Sequence, residues 1–311
     1  MRKTILLTTV LCFVLFAATI RAQEYSFQSY LVRDGLPSNY ITALCQDARG
    51  YLWIGTDNGL SVYDGTEFKN FTTTDGLPNL FITDVIEQRS KHGAMWIGTI
   101  AGGIVKFEGG VFTSIPVGDN SIASLFEDIS GALWCSTPDR VFRVEHDSAS
   151  AVASIPGGGY EIHGMGDSVV VLLGRSDILF YHLQNRTIQK QPLNLTAGEF
   201  TSPILVDSDG VIWTVTSTRR LGRISPGGVS FRELNSTFTL SPNLPSRIID
   251  DGRGSLWITH PAGILRVDKA TYTSTILRGP GKAHTILSGP IILDREENVW
   301  IGTTGDGLLK L

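Results

Sequence analysis

The sequence predicts an all-β fold: a seven-bladed β-propeller of four-stranded blades, closed by pairing the N-terminal strand with the last blade. Three observations carry this reading: a tryptophan phrase that recurs along the chain, turn residues at fixed offsets from it, and a strand count that comes out even. All six tryptophans sit in one phrase, Leu52-Trp53-Ile54-Gly55-Thr56, repeated around Trp96, Trp134, Trp213, Trp257 and Trp300. Their separations are 43, 38, 79, 44 and 43 residues. The long gap is close to two periods, and Asp167–Gly174 fills the missing place without a tryptophan. Seven copies with a period of about 41 residues fall in the range of four-stranded propeller blades.

Each copy divides alike. An aspartate stands six residues before Trp at Asp47, Asp128, Asp207, Asp251 and Asp294, and a glycine three before it at Gly50, Gly93, Gly131, Gly210 and Gly254. An Asp that bonds its own backbone, followed by a Gly that tolerates positive φ, makes a tight hairpin. Short apolar runs before the turn, such as Ile41–Leu44, Ile82–Val85 and Ile122–Leu125, read as innermost strand a, and the Trp run is strand b. A second glycine, as at Gly59, Gly102 or Gly263, opens strand c, and a further turn leads to outer strand d at Glu67–Phe71, Val111–Ile115, Val229–Leu234 and Tyr272–Leu277. The seventh copy stops at strand c, Leu308–Leu311, while a spare strand, Tyr25–Tyr30, precedes the first strand a. Pairing them closes the ring and removes an open edge.

Composition agrees. The 311 residues are 42% hydrophobic with 34 glycines, too apolar for a disordered chain. A formal net charge of −4 gives no electrostatic footprint for nucleic acid. Residues 1–22 read as a secretory signal peptide: Arg2 and Lys3 precede an uncharged apolar run ending at Ile20. The propeller then spans 23–311, and the expected location is periplasmic or secreted, or membrane-anchored if the peptide stays uncleaved. Cys12 lies in the leader; Cys45 and Cys135 read as buried strand thiols.

The phrase Asp34-Gly35-Leu36-Pro37-Ser38-Asn39, followed by Ile41, Asp47, Gly50, the Trp53 phrase, Gly59-Leu60 and Tyr63-Asp64-Gly65, resembles the two-component regulator propeller repeat. The resemblance implies an extracytoplasmic sensor propeller of two-component or hybrid sensor histidine kinases, in which more blades, a β-sandwich, a spanning helix and a kinase commonly follow. The kinase itself is not in this sequence. The chain reads either as a free-standing secreted propeller or as the N-terminal piece of a longer sensor, and the even strand count favours the first.

Because strands alternate direction, the d–a and b–c connections share one face. That face carries the variable polar residues Asn39, Tyr40, Asp57, Asn58, Asn79, Arg140, Arg219, Arg220, Arg247, His260 and His284, and loops on a rigid scaffold are where binding residues gather. These are the candidate ligand contacts. The repeated tryptophans and aspartates read as packing and turn residues. No histidine pair has metal-ligand spacing, Asp207-x-Asp209-Gly210 lacks the later ligands of a calcium loop, and no nucleophile elbow occurs, so no metal, cofactor or catalytic residue is expected.

The leading reading is a non-enzymatic module that binds a small molecule or, as the resemblance implies for many members, a carbohydrate, and signals to a membrane sensor kinase or to downstream domains of the same gene. One alternative is a lyase, since Ile212-Trp213-Thr214 and Leu221-Gly222-Arg223-Ile224 look like a piece of the repeat in streptogramin lyases. Such an enzyme needs a positioned base, for which His260, His284 and Glu161 are the candidates. The other alternative is a scaffold for protein partners.

Overall fold

The computed structural model describes residues 26–118, 120–154, 161–166, 169–173, 177–218, 220–225, 228–234, 247–260, 263–277 and 289–311. Residues 1–22, where a signal peptide is expected, including Cys12, lie outside these residues, as do Arg219 and His284. The fold is an all-β propeller with four-stranded antiparallel blades.

The described strands form seven such sheets. Blade one, with strands a to d, is Ile41–Gln46, Leu52–Thr56, Gly59–Tyr63 and Phe68–Phe71. Blade two is Ile82–Glu87, Met95–Thr99, Ile104–Glu108 and Val111–Ile115, and blade three is Ser124–Glu127, Leu133–Ser136, Arg140–Glu145 and Ser148–Ser154. Blade four, Ile162–Met165, Val169–Leu173, Asp177–His182 and Thr187–Pro192, forms without a tryptophan where the repeat period places it. Blade five is Thr201–Val206, Ile212–Thr216, Arg220–Ser225 and Gly228–Glu233; blade six is Ile248–Asp250, Ser255–His260, Gly263–Asp268 and Ser274–Leu277. The last sheet joins Ile291–Leu293, Val299–Gly302 and Leu308–Lys310 to the N-terminal strand Gln28–Tyr30, in the register Gln28↔Lys310, Ser29↔Leu309 and Tyr30↔Leu308.

Each strand a packs against the strand a of the next sheet all the way round, with that of the last sheet returning to blade one. The tryptophans follow the same path. Trp53 is buried among Ile82 and Val85 of blade two, Trp134 against Ile162 and Tyr181 of blade four, and Trp300 among Ile41, Leu44 and Ile54 of blade one. The glycine after the Trp-Ile pair is required by this packing. A Cβ on Gly55 would fall 2.7 Å from Ile82 Cγ2, and one on Gly302 would fall 2.7 Å from Ile41 Cγ2.

Polar staples run between blades as well. The last residue of strand a accepts from the a–b turn of the preceding blade: Glu127 Oε2 from Arg89 N at 3.0 Å, Glu87 Oε2 from Ala48 N at 2.7 Å, and Gln46 Oε1 from Arg295 N at 2.9 Å. The last of these joins the first blade to the final sheet.

The repeated aspartate does more than the turn role expected of it. In blade one, Asp47 Oδ1 accepts from Arg49 N and Tyr51 N, both at 3.0 Å, while Oδ2 accepts from the Trp53 indole at 3.1 Å. The same pairing joins Asp128 to Trp134, Asp207 to Trp213, Asp251 to Trp257 and Asp294 to Trp300. For Asp207 this engagement gives a structural reason for the Asp-x-Asp-Gly sequence: Asp209 N and Val211 N donate to its other oxygen.

Candidate functional site

The d–a and b–c connections meet on one face, as antiparallel alternation requires: Gly59 N donates to Leu80 O, Gly103 N to Asn120 O and Gly307 N to Asn39 O. Most polar residues there fasten the loops rather than face solvent freely. Asn39 Oδ1 accepts from Val32 N at 2.9 Å, Asn58 Nδ2 donates to Pro37 O at 3.1 Å, and Asn79 Oδ1 accepts from Phe81 N at 2.8 Å. Arg220, one of the candidate ligand contacts, is committed internally. Its guanidinium makes a two-pronged pair with the buried Glu199 carboxylate, with Nε to Oε1 at 3.0 Å, and it lies over the Phe231 ring. Burial would raise the Glu199 carboxyl, but Arg220 and the Thr196, Thr216 and Thr218 hydroxyls hold it well below its ordinary value.

His260 is 4% exposed and forms part of strand b, so it does not stand on an open rim. Tyr40, Asp57 and Arg140 are exposed, with Tyr40 bridging to Thr304 and Arg140 beside Asp139 at 3.5 Å. Neither Arg219 nor His284 falls within the described residues, so the His260–His284 juxtaposition is not addressed by them.

The residues that do converge lie deeper, on the innermost strands. Four positions before the turn aspartate, the blades carry Ala43, Ser124, Pro203, Arg247 and Pro290. In blade two the turn position is Gln88, whose N–H closes the turn on Ala94 O, and four before it is Asp84. This position faces strand b: Thr259 N donates to Arg247 O at 2.9 Å and Gly302 N to Pro290 O at 2.8 Å. Alternation then turns the next residue's N–H toward the axis.

Three of those inward N–H groups are taken by the preceding blade. Leu125 N donates to Asp84 Oδ2 at 2.8 Å, Ile162 N to Ser124 Oγ at 3.4 Å, and Ile204 N to Glu161 Oε2 at 2.9 Å, which places Glu161 at the same level in blade four. Asp84 Oδ1 also accepts from Val85 N at 2.9 Å.

Arg247 Nη1 donates to Glu161 Oε1, so a residue leading into blade six meets one leading into blade four across blade five. Only side chains inside the central channel can skip a blade in this way. His163 Nε2 lies 3.7 Å from Glu161 Oε2. The Arg247 side chain remains 40% exposed and that of Glu161 18%.

Burial alone would raise the Glu161 carboxyl, but the Arg247 charge and the His163 contact outweigh it and bring it down to about 2. Asp84 goes the other way. Burial raises its carboxyl and Glu161 adds to the rise, while the Leu125 and Val85 N–H groups and the Arg247 charge offset only part. The site is thus a polar channel with fixed acceptors on blades two to four and a guanidinium from blade six. Among the described residues, no group of three or more His, Cys, Asp or Glu could hold a metal ion.

Sequence reasoning had placed Arg247 on the ligand face and named Glu161 as a possible base, but missed Asp84. The signal was available: Asp84, Glu161 and Arg247 share one repeat position.

Comparison with known proteins agrees with the repeat. Residues 35–58 match the family described as Two component regulator propeller. A 63-residue stretch is 36% identical to Histidine kinase P4 of Formosa agariphila, covering 20% of this chain and 5% of that protein. Among solved structures, the extracellular domain assigned to a hybrid two component system of B. thetaiotaomicron superposes with a TM-score of 0.74 at 20% identity, over 92% of this chain and 41% of that one. Virginiamycin B lyase from Staphylococcus aureus, solved with quinupristin, gives 0.75 at 18% identity over 92% of this chain and 99% of the enzyme. The chain thus spans less than half of the sensor domain and a small part of the kinase. No helix among the described residues is long and apolar enough to cross a membrane.

Proposed function

We propose that the chain is a non-catalytic, extracytoplasmic ligand-binding propeller of two-component signalling, a seven-bladed ring that receives a small molecule or glycan at its channel. The observation that carries this reading is the Arg247–Glu161 contact across the channel, beside Asp84 and His163. It concentrates charge and hydrogen-bonding capacity where loops from every blade converge, and the guanidinium keeps exposed surface for a ligand. Ring closure by Gln28–Tyr30 and the unbroken circuit of innermost strands favour seven blades. The apolar leader at residues 5–20 and the extracellular relatives favour a periplasmic or secreted site. A membrane sensor kinase, or further domains of the same gene, is the signalling partner on this reading.

A thermal-shift screen of the mature chain against metabolites and oligosaccharides tests it. A ligand at a hundredfold excess over its Kd adds about 2.7 kcal/mol, which for a domain of this size raises Tm by roughly 4–8 °C. The shift should disappear in Arg247→Ala. A well-folded protein that answers to no compound refutes the reading.

A lyase is the second reading, supported by the likeness to virginiamycin B lyase over nearly that enzyme's whole length. It needs a solvent-facing base, a role that the buried His260 fits poorly. Consumption of quinupristin by the purified chain would favour the lyase over the sensor.

A further inference from the structure

We propose that the channel arc formed by blade six, the last sheet and blade one binds an oxyanion, a carboxylate, phosphate or sulfate group carried by the ligand. This inference rests on the channel as the ligand site and adds the chemistry that the site selects.

The argument follows the seven inward N–H groups of one level: Leu44, Val85, Leu125, Ile162, Ile204, Ile248 and Ile291. Four are matched by side-chain oxygens. Val85 and Leu125 donate to Asp84, Ile162 to Ser124 and Ile204 to Glu161. Each of the last three acceptors stands on the blade before its donor. For Ile248, Ile291 and Leu44, the residue at that preceding position is Pro203, Arg247 and Pro290 respectively. Proline offers no side-chain acceptor, and arginine offers only donors. Among the described residues, no side-chain oxygen accepts from these three N–H groups.

Three consecutive strands therefore turn backbone donors toward the axis, and the Arg247 guanidinium, from the entry to blade six, reaches into the same channel to Glu161. Among the described residues, the Arg247 guanidinium donates from Nη1 alone, to Glu161, and its other N–H groups are left for a second acceptor. The carboxylates on the opposite wall already have donors, Glu161 from Arg247 and Ile204 and Asp84 from Val85 and Leu125. Among the described residues, what this arc lacks is an acceptor. A concave set of backbone N–H groups with one guanidinium is suited to charged oxygen, because such hydrogen bonds are about twice as strong as neutral ones. A side chain supplied from the protein would occupy the same donors, as Ser124 does for Ile162.

That equivalence gives the experiment. Binding of citrate and of inorganic phosphate to the mature chain is measured by titration calorimetry at constant ionic strength, with chloride as the reference anion. Pro203→Ser and Pro290→Ser each place a hydroxyl where Ser124 stands, offering an internal acceptor to Ile248 N and Leu44 N without changing charge. Saturable binding of at least one probe is expected, and each variant should weaken it about tenfold, the loss of one charge-assisted hydrogen bond. Thermal melts of the same samples show that the variants are folded. Absence of probe binding to the folded wild-type chain overturns the oxyanion site, as does affinity unchanged in both proline variants. If neutral sugars bind while the oxyanions do not, the ligand-binding reading stands and this inference alone falls.

Discussion

Asp128 and Trp134 form one hydrogen-bonded unit: the indole N–H reaches Asp128 Oδ2 at 2.8 Å while Oδ1 gathers Ser130 N at 2.8 Å and Ala132 N at 3.1 Å. Both residues are buried, and the tryptophan ring packs on blade four. The carboxylate thus fixes the hairpin and the ring that cements the next interface. Asp128→Ala would free the turn donors and strand the indole N–H inside the protein. A loss of about 2–4 kcal/mol is expected by urea denaturation, the usual cost of leaving several buried donors unpaired. Trp134→Phe, which removes the donor as well, should be milder than removal of the aspartate.

In the last sheet the glycine of this turn is replaced. Glu297 takes a left-handed backbone, φ 68°, where Gly50 and Gly254 stand in other blades. Its side chain pairs with Arg253 only at the surface, a contact of small worth. Glu297→Gly should stabilise the chain by about 0.5–1 kcal/mol, because a non-glycine residue is strained there. Chemical denaturation of the two proteins side by side measures it.

Gly302→Ala tests the interface that completes the ring. Its Cβ would meet Ile41 Cγ2 at 2.7 Å and Pro290 Cδ at 2.8 Å, both in packed surroundings. Overpacking of this kind costs about 1–3 kcal/mol. Because the atom met is Ile41 Cγ2, Gly302→Ala combined with Ile41→Ala should cost less than the sum of the two single changes in a double-mutant cycle.

Acid should weaken the channel in a defined window. The Glu161 carboxyl is lowered from its ordinary 4.5 to about 2, so the native state favours its charged form. That contribution is fully present above about pH 4.5 and is lost as pH falls toward 2. Asp84 is shifted upward, so its protonation favours the native state and works against the loss. Glu161→Gln should flatten the fall in Tm between pH 4.5 and 2, whereas Asp84→Asn should steepen it.

The fold was legible because it depends on local repetition. The Trp phrase, the Asp and Gly offsets and the spare strand at Gln28–Tyr30 each repeat or balance along the sequence, and even the fourth blade appeared at its expected place without its tryptophan. Boundaries drifted where apolar residues outrun the ladder: strand a of blade three begins at Ser124, not Ile122, and the N-terminal strand at Gln28, not Tyr25. The site was less legible. Arg220 looked free because Glu199, its partner, lies 21 positions earlier in a separate loop. Asp84 was hidden by the register shift between Ile82 and Asp84, which breaks the in-out alternation from which a channel residue would be read. The rim asparagines were correctly placed on the d–a and b–c face, but their bonds to loop backbone are visible only when the chain is folded.

Joining Gln28–Tyr30 to Leu308–Lys310 also sets an order of assembly. During synthesis the first of these segments leaves the ribosome long before its partner exists, so it must stay unpaired while the intervening sheets form. The two can meet only after Leu308–Lys310 has itself been made, and the time taken to synthesise the intervening sheets then governs how long that nascent edge is open to a neighbouring chain.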